Sequence, residues 1–120
     1  YKRLGEKKAP KYVTWSHENR SQLIRIPAVK NAANKRIELR SPDPCANPYI
    51  AYALIIYAGL DGIKRGLTPT APLNVNLFTA DGEVTDGLVS LPDTVEKAKS
   101  IAAHSEFIKG ALPAGFTESI

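Results

Sequence analysis

The sequence has a single cysteine and no apolar run long enough to cross a bilayer. Because Cys45 has no second cysteine to pair with, an internal disulfide is excluded, which favours a reducing compartment. The first ten residues, YKRLGEKKAP, lack the apolar core of a signal peptide. We therefore expect a cytoplasmic protein without a membrane partner.

Several signatures of catalytic and binding sites are also missing from the sequence. The cysteine and the two histidines do not have the spacing of a zinc site, and no glycine-rich phosphate loop is present. No order of serine, histidine and aspartate suggests nucleophilic catalysis. No signature of a nucleic-acid-binding module accompanies the basic residues, so we expect no nucleic-acid partner.

Positive charge is concentrated in the first third of the chain. Residues 1–40 hold 11 Lys and Arg against 3 Asp and Glu, a net charge of +8, whereas residues 41–120 carry −4. A basic segment of this kind attracts phosphate, carboxylate or nucleic acid, or is simply a solvated face. Charge alone leaves these alternatives open.

The order of elements predicts an α+β fold in which an antiparallel sheet packs against helices. Three short segments, 11–16, 22–26 and 36–40, have the composition of strands. We divide the chain into a strand-rich basic part (1–46), a buried helix (47–65), a long loop (66–92) and a C-terminal helical part (93–120). Since the chain starts at Tyr1 without a methionine, we expect a piece of a longer protein.

Helix boundaries are marked by local signals. Asn47 is a favourable cap and Pro48 suits a first helical turn. The residues that follow, 49–64, are apolar nearly all round, which is typical of a helix buried on every side. Asp93 or Thr94 is expected to cap a second helix, and Gly110 is expected to end a third.

The stretch KRIELRSPDP at 35–44 has a charge on every second residue. In a strand, Arg36, Glu38 and Arg40 would share one face, with Ile37 and Leu39 on the other. Such a row is either a solvated charge ladder or a site where Glu38 binds Mg²⁺ or Mn²⁺ while its neighbours hold phosphate. Spacing alone favours the ladder.

Five segments together resemble the C-terminal half of the catalytic domain of bacterial-type glutamine synthetase, in the order and spacing of that family. They are YKRL (1–4), APKYVTWS (9–16), NRSQLIRIP (19–27), RIELRSPDP (36–44) and NPYIAYALIIYAGLDGIK (47–64). The resemblance implies an ATP-dependent ligase that joins ammonia to glutamate through γ-glutamyl phosphate. It also implies a homo-oligomer whose site is completed by earlier sequence and by a neighbouring subunit.

The resemblance assigns roles to six residues, and five of them are arginines for anionic groups. These are Arg3 for glutamate, Arg20 for the transferred phosphate, Arg25 for nucleotide phosphates, Arg36 near the nucleotide, and Arg40 for the substrate carboxylate or phosphoryl group. Arg20 and Arg40 would be catalytic. Glu38 would be a ligand of Mg²⁺ or Mn²⁺. The joint presence of these residues argues against a non-enzymatic domain that keeps the sheet only for binding.

The sequence departs from the family in the flap, here the segment Gly5–Ala9. Many bacterial members carry a glutamate there that helps to deprotonate ammonium, whereas this chain is one residue shorter and places Lys8 at that position. Either Glu6 takes over this role, or the enzyme is a γ-glutamyl ligase that acts on a different amine.

A second departure concerns the tyrosine that some bacterial members adenylylate. The corresponding motif here is Asn76-Leu77-Phe78, which has no phenolic hydroxyl. We therefore expect no adenylylation at Phe78. Because the family's earlier metal-binding carboxylates are not in these 120 residues, we also expect the isolated chain to be inactive.

Overall fold

The structure is a computed structural model that describes residues 1–6 and 8–116, and these form two units. Unit 1 comprises Tyr1–Pro42 and Thr70–Leu91, and unit 2 comprises Asp43–Pro69 and the segment that begins at Pro92. In chain order, the elements are β1 (Trp15–His17), β2 (Ile24–Ile26), a 3-10 helix (Ala32–Asn34), β3 (Glu38–Leu39), α1 (Pro48–Lys64), α2 (Gly82–Thr85), α3 (Val95–His104) and α4 (Glu106–Ala111).

Unit 1 contains a three-stranded sheet in the order β1-β2-β3, so the α+β prediction is confirmed. The sheet is mixed, however, because β1 runs parallel to β2 while β2 runs antiparallel to β3. The predicted antiparallel pairing of the first two strands is wrong. Their polar connection is not a hairpin: it brings the start of β2 beside the start of β1, where the Ile24 amide donates to the Thr14 carbonyl.

The long loop contributes to unit 1 through residues 70–91. The indole Nε1 of Trp15 donates to the Thr70 carbonyl at 2.7 Å, and Tyr12 forms an antiparallel bridge with Ser90. The Val75 carbonyl accepts hydrogen bonds from the buried Gln22 and from Asn19. These bonds explain why residues 70–91 pack along the sheet although they contain only one short helix, α2.

In unit 2, α1 begins and ends where the sequence predicts. The Asn47 side chain accepts from the amides of Tyr49 and Ile50, and Pro48 is the first helical residue. The predicted burial is wrong for this chain: α1 has no buried residue, and Tyr49 and Ile63 are 85% and 79% exposed. The described part of unit 2 adds only two shorter helices, α3 and α4, which cannot cover an apolar helix of 17 residues.

The last helices are capped by hydroxyl side chains. Thr94 caps α3, whereas Asp93 pairs with Lys97. Ser105 caps α4, and Gly110 lies inside that helix rather than ending it. Residues 117–120 of the predicted helical part lie outside the described residues. Within residues 1–6 and 8–116, no helix is long and apolar enough to cross a membrane.

Candidate active site

Two arginines flank Glu38 on one face of the sheet in unit 1. Arg25 Nη1 donates to Glu38 Oε2 at 2.9 Å, and Arg40 Nε donates to Glu38 Oε1 at 3.0 Å. Arg25 lies opposite Glu38 in the antiparallel register, and Arg40 follows two residues later, so all three side chains project from the same face. We call Arg25, Glu38 and Arg40 the Arg–Glu–Arg cluster.

Both arginines of the cluster are more buried than the carboxylate they bind. The exposed fractions of the side chains are 17% for Arg25, 16% for Arg40 and 39% for Glu38. Partial burial raises the pKa of Glu38, but the hydrogen bonds and charges of Arg25 and Arg40 outweigh it and hold this pKa below its usual value of 4.5. Glu38 is therefore ionised at neutral pH.

The lowered pKa of Glu38 predicts how stability depends on pH. A carboxyl whose pKa is lower in the folded state stabilises the fold above its unfolded pKa, and this stabilisation is lost as pH falls through the folded pKa. We expect the free energy of unfolding of the wild-type chain to exceed that of Glu38→Gln near neutral pH. Urea unfolding of both proteins at about pH 7 and about pH 3 measures the difference. A difference that is the same at both pH values would contradict the assignment.

One nitrogen of Arg40 has no partner in the described part of the chain. Nη2 of Arg40 donates to the Lys8 carbonyl at 3.1 Å, and Nε is taken up by Glu38. Nη1 is buried and makes no hydrogen bond with the described residues. A buried guanidinium donor without an acceptor is costly, and a phosphate or carboxylate oxygen would satisfy it.

The other predicted arginines take different positions in unit 1. Arg3 Nη2 lies 3.3 Å from the carbonyls of Ser41 and Pro42, which follow Arg40 directly in the chain. Arg20 is exposed and makes no side-chain hydrogen bond or ion pair with the described residues. The structure thus brings Arg3 to the segment beside the cluster and leaves Arg20 open to solvent.

Arg36 lies outside the strand that carries Glu38 and makes no ion pair with that carboxylate. The strand β3 begins only at Glu38, and the exposed Arg36 donates to the Asn34 carbonyl at 3.3 Å. Arg25 takes its place beside Glu38 from the neighbouring strand. The predicted strand over 36–40 is therefore too long, and the ion-pair partners of Glu38 are Arg25 and Arg40. The Arg25 contact depends on strand register, which the sequence of one strand does not contain.

Arg36 instead lines an open cavity of about 520 Å³ in unit 1. Its walls combine aliphatic side chains with three side chains that carry nitrogen, and the lining residues are His17, Ile26, Pro27, Val29, Lys35, Arg36 and Ile37. A volume in this range is typical of small-ligand sites. Sequence reasoning did not single out His17 or Lys35, whose only signal is their proximity to the strands.

The family described as glutamine synthetase, catalytic domain, matches residues 1–120. The chain belongs to the glutamine synthetase family. It is 49% identical over 115 residues to a glutamine synthetase of Methanosarcina mazei, a match that covers 93% of this chain and 26% of that protein. With the same coverage of both proteins, it is 43% identical to a glutamine synthetase of Clostridium saccharobutylicum and 45% identical to one of Staphylococcus aureus.

A solved structure of the GmaS/ADP complex has the same fold over this region. The TM-score is 0.82 at 31% identity, and the match covers 99% of this chain and 28% of that one. The chain therefore spans about a quarter of the length of the relatives it matches. The family predicted from the five sequence motifs is confirmed.

Membership of the glutamine synthetase family implies a bound divalent metal ion. The described residues of this chain supply only part of a binding site for such an ion. Glu38 is the one carboxylate of the cluster, and the described residues contain no group of three or more His, Cys, Asp or Glu side chains that could hold a metal ion. Mg²⁺ is often bound through one or two carboxylates together with substrate phosphates. Glu38 thus fits as a single ligand of a metal shared with other groups.

The structure describes the flap, Gly5–Ala9, apart from Lys7. Glu6 and Lys8 are both exposed, and Lys8 has a φ of +69°. The Lys8 carbonyl is the acceptor for Arg40 Nη2. The flap segment is thus hydrogen-bonded directly to the Arg–Glu–Arg cluster.

Proposed function

We propose that this chain is one segment of a cytoplasmic, homo-oligomeric ligase that forms glutamine from glutamate and ammonia at the expense of ATP. The observation that carries the proposal is the Arg–Glu–Arg cluster, with its buried and unpartnered Arg40 Nη1. Membership of the glutamine synthetase family supports the same reaction.

The chemistry explains why such a segment is rich in arginine. A γ-carboxylate oxygen of glutamate attacks the terminal phosphorus of ATP, and the bond to the ADP oxygen breaks, giving γ-glutamyl phosphate. Ammonia then attacks the acyl carbon, loses a proton, and phosphate leaves. Because the first step brings two anions together, positioned cations lower its barrier.

In this proposal the arginines divide among glutamate, the transferred phosphate and the nucleotide. Arg40, with its free buried donor, binds the substrate carboxylate or the phosphoryl group, and Arg20 holds the transferred phosphate. Arg25 and Arg36 contact the nucleotide. Arg3 contacts glutamate from its position beside the chain that follows Arg40.

Glu38 would hold Mg²⁺ or Mn²⁺, which supplies positive charge to the nucleotide phosphates when bound. The chain itself orients this carboxylate, since Arg25 and Arg40 each bind one of its two oxygens. The same contacts keep Glu38 ionised, as a metal ligand must be.

The experiment that tests the proposal is a graft. In the grafted enzyme, this chain replaces the matching 115 residues of the M. mazei relative. We expect glutamate- and ammonia-dependent release of phosphate from ATP, with the M. mazei parent as the control. The isolated chain is expected to catalyse no γ-glutamyl transfer, because Glu38 alone does not make a metal site, and transfer by the purified chain would contradict this.

A second candidate function is a γ-glutamyl ligase for an amine other than ammonia. The observation that favours it is Lys8, which stands where the flap glutamate of many bacterial members would be. A lysine there adds positive charge where an ammonium ion would otherwise be attracted. The likeness to GmaS is compatible with either candidate.

An amine screen with the grafted enzyme separates the two candidates. Ammonia, methylamine and larger amines are compared by kcat/KM, and Lys8→Glu is the matched variant. Preference for ammonia in the wild-type graft supports the first candidate. The second candidate is supported if the wild-type graft prefers another amine and Lys8→Glu shifts this preference toward ammonia.

Phe78 is expected to make the protein resistant to adenylylation. The reaction needs a phenolic hydroxyl, and phenylalanine at position 78 has none. Incubation with a bacterial adenylyltransferase and labelled ATP should leave residue 78 unlabelled, whereas Phe78→Tyr restores the acceptor and serves as the positive control. Label at residue 78 of the unsubstituted chain would refute the prediction.

A further inference from the structure

Two residues have a backbone conformation that side chains rarely adopt. Among the described residues, Lys8 with a φ of +69° and Glu18 with a φ of +61° are the only non-glycine residues with positive φ. In this left-handed region the Cβ atom approaches the backbone closely, so the conformation is strained unless the residue is glycine. Such strain often marks a functional site.

Both residues occupy turns in which glycine would be the usual choice. The amide of Ala9 donates to the Glu6 carbonyl at 2.9 Å, which makes Lys8 the third residue of a four-residue turn. Positive φ at that position is normally found with Gly or Asn. The amide of Asn19 donates to the His17 carbonyl at 2.7 Å, which closes a three-residue turn around Glu18, a rare and strained form when φ is positive.

The carbonyls of both strained residues bind the Arg–Glu–Arg cluster. The Lys8 carbonyl accepts from Arg40 Nη2 at 3.1 Å, and the Glu18 carbonyl accepts from Arg25 Nε at 3.0 Å. Each arginine is therefore held at two points, by one of these carbonyls and by one oxygen of Glu38. This leaves Arg40 Nη1 as the buried donor for a ligand.

The side chains of Lys8 and Glu18 contribute nothing visible to this arrangement. Both residues are exposed, and neither side chain makes a hydrogen bond or ion pair with the rest of the described chain. What the two positions share is the direction of their carbonyls. The contact is thus made by the backbone, and the backbone conformation decides whether it forms.

We propose that Lys8 and Glu18 are positioning residues, whose left-handed backbone aims their carbonyls at Arg40 and Arg25 so that the two guanidinium groups are ready to bind an anion. The identity of that anion, a phosphoryl group or a carboxylate, rests on the proposed function. The positioning itself follows from the hydrogen bonds and is tested separately.

The test is a series of substitutions at each position in the full 120-residue chain: glycine, alanine and valine. Glycine adopts positive φ freely and keeps the carbonyl in place, whereas the β-branched valine disfavours it most. We expect the affinity for pyrophosphate to stay within about twofold for Lys8→Gly and Glu18→Gly. For Lys8→Val and Glu18→Val we expect it to fall by about tenfold or more. For Lys8→Ala and Glu18→Ala we expect affinities between those of the glycine and valine variants. The alanine variants keep the test decisive if a valine variant does not fold.

A second measurement does not depend on any ligand. In the free chain, the Nε–Hε NMR signal of Arg25 reports on its hydrogen bond to the Glu18 carbonyl, and the Nη2 proton signals of Arg40 report on its hydrogen bond to the Lys8 carbonyl. We expect Glu18→Val to move the Arg25 signal and Glu18→Gly to leave it in place. Lys30→Val and Lys30→Gly are the matched controls, since Lys30 is exposed and has no positive φ.

The two measurements separate this inference from the proposed function. If the arginine signals follow the order glycine, alanine, valine but pyrophosphate does not bind, the positioning holds and the proposed function loses its support. If glycine disturbs the signals as much as valine, or if valine leaves both signals and affinity unchanged, the positioning inference is overturned.

Discussion

Replacing Arg40 with glutamine is expected to lower kcat/KM of the grafted enzyme by about a thousandfold. The substitution removes the one buried guanidinium nitrogen that has no partner among the described residues, together with one of the two contacts that orient Glu38. Because Arg40 would act on the charge that develops during phosphoryl transfer, most of the loss should appear in kcat rather than in KM.

Lysine at position 40 tests whether charge alone is sufficient. An ammonium group keeps the positive charge but cannot reach Glu38 and the Lys8 carbonyl while also offering a further donor in the same plane. We expect kcat/KM of Arg40→Lys to exceed that of Arg40→Gln by no more than about tenfold. Arg65→Gln is the matched control, since Arg65 is an exposed arginine of unit 2 paired with Asp61. A thousandfold loss in the control, or less than tenfold loss in Arg40→Gln, would refute the assignment of Arg40.

Glu38→Gln is expected to reduce kcat/KM of the grafted enzyme by about a hundredfold or more. The amide is nearly isosteric but uncharged, so Arg25 and Arg40 lose their common counter-charge. The proposed metal would also lose a ligand. Glu38→Gln should also raise the Mg²⁺ concentration that is needed for half-maximal activity. These two readouts distinguish a metal ligand from a residue that only neutralises the arginines.

The control for Glu38→Gln is Glu106→Gln in α4. Glu106 also forms an ion pair, with Lys109, but it lies on an exposed helix of unit 2. We expect this variant to keep the activity and the Mg²⁺ dependence of the grafted enzyme. If Glu38→Gln loses activity with an unchanged Mg²⁺ dependence, Glu38 orients the arginines and is not a metal ligand.

Features set by neighbouring residues were predictable from the sequence. The start of α1 follows from the Asn47 side chain and from the fixed φ of Pro48, both of which act within one turn. The burial of α1 could not be predicted in the same way. Burial depends on which other elements are present, and the described part of unit 2 has too few to cover Tyr49 and Ile63.

The composition of the site was predictable, but its geometry was only partly so. Arg25, Glu38 and Arg40 were all among the candidates, but Glu38 was expected to lie between Arg36 and Arg40, whereas the structure pairs it with Arg25 and Arg40. The alternation of side chains within one strand does not depend on how that strand pairs with its neighbours. It therefore could not reveal that Arg25 lies opposite Glu38, or that β1 is parallel to β2.

The strained turns show another limit of sequence reasoning. Local preference places glycine at positive φ, so Lys8 and Glu18 gave no signal of a left-handed backbone. The left-handed conformation is instead accompanied by hydrogen bonds to arginines outside each turn, from Arg40 to Lys8 and from Arg25 to Glu18. Departures of this kind are expected where a site constrains the backbone.

The most direct test of the account is ATP turnover by the grafted enzyme after its assembled mass has been matched to that of the M. mazei parent. The account predicts ADP formation that requires glutamate and an amine, survives Arg65→Gln and is lost in Arg40→Gln. A correctly assembled graft that shows no glutamate-dependent ATP turnover, or one in which Arg40→Gln is as active as Arg65→Gln, would contradict it.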